Sequence, residues 1–187
     1  STGQILVLAL AGGMFVTMGA LFSLLLSDGF SATGAVLLMQ GLGFSTGFFM
    51  IILSRSALFT EANVIFPASY LQGIPANHLT TILRVWGIAW IGNMLGALII
   101  GAVIAFAQTD PDSLLQGLDT VVAKKMAYRD EGTVTAWLRI VVSGMLGNGL
   151  IGMAAFFATM ANTLIGKYVP VFLVVTLFVA ANLQHSP

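Results

Sequence analysis

An all-α integral membrane fold is what this 187-residue sequence predicts, on three observations. Hydrophobic residues make up 58% of the chain and charged residues only 7%, whereas a soluble domain carries about 25% charged residues. The apolar residues fall into long runs rather than alternating, and the mean hydropathy is +0.98. There are also 21 glycines. Lipid tails are as apolar as leucine, so helices inside a bilayer associate by close packing over small residues. The i,i+4 pairs Gly43/Gly47 and Gly92/Gly96 each put two glycines on one helical face and read as packing surfaces.

A spanning helix needs roughly 20 apolar residues. The first such run goes from Gln4 to Leu26 and closes at Ser27-Asp28-Gly29. It is too long and too glycine-rich for a signal peptide, and no basic segment precedes it. The second runs from Thr33 to Leu53, meets Ser54-Arg55-Ser56, and resumes from Ala57 to Leu71. Its whole length exceeds one span, and its second part is short for a span of its own, so the spacing predicts a broken helix. Irregular backbone at membrane depth is tolerated where protein buries it or where it lines a watery path. Two ordinary segments joined by an exposed turn at 54–56 are the alternative. A third run spans Thr80 to Ala107. The polar stretch from Gln108 to Gly132 reads as an extramembrane connector with helix around Ser113–Met126. The fourth run is Val134 to Met160 and the fifth Tyr168 to Leu183.

A weak internal echo joins the two halves. Gly13-Met14 with Gly19-Ala20 resembles Gly144-Met145 with Gly149 and Gly152-Met153-Ala154, and each leads on to a polar interruption, at Ser54–Asn63 and at Asn182–Pro187. Broken helices at corresponding places in two repeats point to a transport site near the midplane. The chain reads as one transmembrane domain over residues 1–187, with its last element apparently incomplete.

Function classes fall away in turn. Seven basic residues balance seven acidic ones, leaving no basic excess to hold nucleic acid. The absence of cysteine excludes disulfides, iron–sulfur clusters and thiolate zinc sites. His78 and His185 have no carboxylate at ligand spacing, and no phosphate-binding glycine loop or nucleophile motif is present. Neither an enzyme nor a cofactor or metal is therefore expected. The ionisable residues in or beside apolar runs are Arg55, Glu61 and His185, and a charge at that depth should face a partner or a cavity. Arg55 and Glu61 read either as an ion pair that locks or seals the break or as charges on a pathway. His185 reads either as a hydrogen-bonded core histidine or as a titratable donor in a narrow apolar pore.

Five stretches resemble the formate/nitrite transporter family. They are Gly13–Ser23, Leu58-Phe59-Thr60, Gly92–Ala97, Ser143–Ala155, and Phe178-Val179-Ala180 leading to His185-Ser186, with a phenylalanine seven positions before the histidine. The resemblance covers essentially the whole chain. It implies a homopentamer in a prokaryotic inner membrane, each protomer an aquaporin-like bundle of six helices with the second and fifth broken. The last part of the fifth helix and all of the sixth would then lie outside this sequence. It further implies a pore within the protomer, with Leu58, Phe59 and Thr60 at the first break. Phe44 and Phe48 would form an apolar constriction on one side, Phe178 one on the other, and His185 would stand at the centre. A vestibule lysine of the family corresponds to Lys124 or Lys125. Around Leu-Phe-Thr the chain departs from the family pattern, with Arg55, Ala57 and Glu61 at places usually held by small or acidic residues.

The expected function is passage of a small monovalent anion such as formate or nitrite, either passive or coupled to a proton through His185. A neutral-solute pore of aquaporin type is the alternative, although no Asn-Pro-Ala turn occurs and Pro75-Ala76-Asn77 has the reverse order. A non-conducting membrane scaffold, or the anchor subunit of a redox enzyme, is the other, although a haem-binding anchor wants two axial histidines on membrane helices and His78 lies in a polar turn.

Overall fold

The structure, a computed structural model, describes residues 1–63, 79–108 and 111–185. Among the described residues, six helices with both ends defined run in order: α1 (Thr2–Ser27), α2 (Thr33–Ser54), α3 (Leu79–Ala107), α4 (Pro111–Glu131), α5 (Val134–Thr159) and α6 (Leu164–Ala180). Among the described residues there is no strand. α1, α2, α3 and α5 are long and apolar enough to cross a membrane, while α6 is apolar but shorter. The protein is an integral membrane protein.

Local chemistry sets the ends. Ser1 Oγ accepts from the Gln4 amide to start α1, Thr133 Oγ1 accepts from Ala136 to start α5, and Thr163 Oγ1 accepts from Gly166 to start α6. A capping hydroxyl meets an amide that has no partner inside its helix. The Thr163 cap lets α6 begin at Leu164, ahead of the expected Tyr168, with Pro170 inside the helix. α4 is likewise longer than expected, reaching from Pro111 to Glu131.

α1 is the hub of the first half, packing on both α2 and α3. α2 then packs on α6, and α6 on α5. The buried residues of α1 are Ala9, Gly12, Gly13, Gly19 and Ser23, all small, which is how backbones come together without a solvent to drive them. A methyl group built on Gly47 would strike the backbone of Phe15 and Gly19, and one on Gly96 would strike the carbonyl of Leu10. The glycine pairs are therefore contact surfaces, and any side chain there would push α1 away. The opposite faces of α3 and α5 leave Leu98, Phe106 and Trp137 exposed, as lipid or a neighbouring subunit requires.

The second segment is broken, as its length demands. α2 ends at Ser54, Arg55 takes the left-handed conformation (φ 55°), and a new helical turn opens at residue 59 and runs through 63. The expected continuation to Leu71 lies outside the described residues, as do Pro75-Ala76-Asn77 and His78. α6 ends in the same manner, with Asn182 left-handed at φ 49° and residues 183–185 non-helical.

The two endings match residue by residue. After the left-handed residue, Ser56 donates to the Ile51 carbonyl at 3.1 Å and Leu183 to the Phe178 carbonyl at 3.3 Å, the long back-bond that seals a helix C-terminus. The next residue reaches across to a facing helix: Ala57 donates to Leu8 O of α1, and Gln184 to Ser143 Oγ of α5. Four residues further along each facing helix stands a glycine, Gly12 or Gly147, where a methyl group would strike the carbonyl of Ala57 or of Gln184. In this register Leu58 and His185 are counterparts.

Candidate anion pore

The first break is held by one side chain. Asn93 of α3, fully buried, donates from Nδ2 to the carbonyls of Ala9 (2.8 Å) and Ala57 (2.9 Å) and accepts at Oδ1 from the Phe59 amide (2.8 Å). A primary amide has two donors and an acceptor; here one donor and the acceptor serve the Ala57 carbonyl and the Phe59 amide, which the break leaves outside a helix, and the second donor adds a bond to the Ala9 carbonyl inside α1. Ser56, Leu58 and Thr60 are buried as a result. Phe59 turns to α3, edge-on to Trp86 with ring centroids 6.3 Å apart.

Arg55 and Glu61 do not form the ion pair that was one reading of them. Among the described residues the ion pairs are Arg129–Asp130 and Arg139–Glu131. The left-handed turn leaves Arg55 exposed, while Glu61 sits half-buried in the first turn of the following helix. There a carboxylate meets the positive end of the helix dipole.

Near the second break three rings converge. Phe178 lies edge-on to His185 at 4.9 Å, Phe44 lies 6.2 Å from His185, and Phe44 and Phe178 are 6.1 Å apart. Phe44 and Phe178, expected on separate constrictions, are thus neighbours of one another and of the histidine. α2 and α6 meet closely at Gly41, where a methyl group would strike Thr176. Phe48 and Leu58 lie deeper, with Ile51, Ile151, Val171, Val175 and Phe178 in one buried apolar cluster.

A partly open cavity of about 550 Å³ reaches these rings. Phe44, Phe178 and His185 line its floor, the ends of α1 and α2 contribute Ser23 and Gln40, and α4 supplies Lys124 and Lys125. Lys124 is exposed and Lys125 half-buried, and burial lowers the ammonium of Lys125 from its ordinary value of 10.5. Its Nζ donates to the Leu183 carbonyl at 2.6 Å. Among the described residues no group of three or more His, Asp or Glu side chains could hold a metal ion. The cavity brings together positive charge, aromatic walls that offer little to water, and an imidazole, a set that suits a small anion.

Asn93, Ser143 and Gln184 were not singled out by the sequence reading. The available signal was physical: a lone carboxamide between Gly92 and Met94 in an apolar helix must find partners, since lipid offers none.

Comparison with known proteins agrees with this architecture. The family model for formate/nitrite transporters matches residues 1–187. The probable formate transporter of Methanothermobacter thermautotrophicus is 24% identical over 98% of this chain and 71% of its own length. The formate channel FocA of Haemophilus influenzae is 28% identical over 81% of the chain, a match that takes in 51% of FocA. A solved pentameric formate channel with formate bound superposes with a TM-score of 0.77 at 20% identity, over 98% of this chain and 70% of that one; at that identity the likeness speaks for the fold. The helical bundle with its broken second helix and the family match over the full sequence together place the chain in the formate/nitrite transporter family.

Proposed function

We propose that this chain builds the pore-bearing part of a channel for small monovalent anions of the formate and nitrite kind, assembled as a homopentamer in a prokaryotic inner membrane. The observation that carries the reading is the meeting of Phe44, Phe178 and His185 at the floor of a lysine-edged cavity. An anion gathered by the exposed Lys124 sheds water as it meets the aromatic rings. A bare charge there is costly, and His185 offsets that cost by donating a hydrogen bond, or passes a proton so that the weak acid crosses neutral. Thr60, at the first break, supplies a second donor. Leu58, Phe48 and Phe59 form the apolar wall beyond it, and Glu61 and Arg55 set the charge on the far approach. The reading assigns transport rather than catalysis.

Flux of labelled formate and nitrite into proteoliposomes, measured from acid to neutral pH, tests it with His185→Phe. Removing the imidazole should abolish the pH dependence and cut anion flux by about 100-fold, the scale of losing a charge-stabilising donor at a dry site. Unchanged uptake at every pH would remove the histidine from the mechanism.

A further inference from the structure

The wall of the cavity opposite the spanning helices belongs to α4, and it touches the second break twice. Lys125 Nζ donates to the Leu183 carbonyl at 2.6 Å, and Gln184 Nε2 returns a hydrogen bond to the Lys125 carbonyl at 3.4 Å. Leu183 and Gln184 directly precede His185. Past the left-handed turn at Asn182 the Leu183 carbonyl lies outside any helix, so its partner must come from elsewhere in the molecule. The lysine supplies it with a charged donor, the stronger kind. The same ammonium stands 5.7 Å from the centre of the Phe178 ring, which is itself edge-on to His185. Lys124 lines the same cavity but is exposed. The two lysines thus differ in what they do: one presents its charge to solvent, the other commits it to the backbone.

We propose that Lys125 is a positioning residue, which together with Gln184 straps α4 to the second break and so fixes where His185 stands. The proposal deepens the pore reading and rests on it for its effect on flux. The strap also makes α4 an element through which the position of the histidine can be altered, alongside the bond from Gln184 N to Ser143 Oγ of α5.

The test compares Lys125→Met, Lys125→Arg and Lys124→Met in the full-length protein, reading formate flux in proteoliposomes and amide exchange of residues 181–185 by mass spectrometry. With Lys125→Met, exchange in 181–185 should quicken and maximal flux fall, each by about ten-fold, the scale of losing one charged hydrogen bond. The half-saturating formate concentration should stay close to its original value. Lys125→Arg, which retains a charged donor, should restore both. Lys124→Met should raise the half-saturating concentration and leave exchange unchanged. Should Lys125→Met fail to assemble, Gln184→Met removes the return bond and should quicken the same amides. Unaltered exchange in the variants that fold, or a Lys125→Met defect confined to half-saturation, would overturn the strap and leave Lys125 a simple anion attractor. Absence of formate flux in the unaltered protein would instead sink the transport reading, while the exchange data still decide the strap.

Discussion

The two breaks share one local plan and differ in what holds them. At each, a left-handed residue ends the helix, a long back-bond seals it, and the following amide crosses to a facing helix beside a glycine. The first break is then clamped from inside the bundle by Asn93, which satisfies two carbonyls and an amide at once. The second is held by a serine hydroxyl and by the connector helix α4, and its residues 183–185 stay only half-buried against the cavity. One break is a fixed part of the scaffold. The other, carrying the imidazole, is secured in part by a helix outside the spanning set and is the one open to adjustment.

That contrast can be broken most directly at Asn93. Asn93→Ala strands the Ala57 carbonyl and the Phe59 amide in a dry contact and removes a further bond to Ala9, and should cost about 3 kcal/mol of stability, given 1–2 kcal/mol for each lost partner. Denaturant or detergent titration of the helical signal would measure it; a loss below about 1 kcal/mol would mean that the first break is not clamped in this way. Ser143→Ala at the second break removes one bond from a half-buried amide that water can reach. It should cost about 1 kcal/mol by the same measurement and raise exchange at Gln184 alone. Equal losses for the two variants would erase the distinction between the breaks. The smallest effect concerns the left-handed residues. Arg55→Gly should gain up to about 1 kcal/mol by relieving the contact between Cβ and backbone. Asn182→Gly should change stability by less than half of that, because asparagine tolerates this conformation. Matching gains at both sites would show that Arg55 carries no extra strain.

Much of the scaffold was legible without coordinates. Helices α1, α2, α3 and α5 begin and end within a few residues of the runs that hydropathy marks, because a bilayer imposes a length and forbids unpaired backbone within it. α6 was less well bounded, since its start depends on a threonine cap and its end on a left-handed asparagine, both local hydrogen-bond choices rather than hydropathy. The proximity of two phenylalanines was not legible for a different reason. Phe44 and Phe178 are far apart in sequence and meet where α6 packs closely on the α2 backbone at Gly41.

By itself the sequence determined the class of the molecule, the number and extent of its long apolar helices, the presence of a polar interruption at 54–56, and the small-residue faces on which helices meet. These follow from composition and from periodicity along a single segment, where the physics is local. Only the tertiary structure decided that Asn93 serves the first break, that Lys125 and Gln184 tie α4 to the second, that Arg55 and Glu61 stay apart, and that Leu58 and His185 are counterparts. Each of those depends on which backbone groups are left without a partner once the helices have docked, and no single segment of chain contains that information.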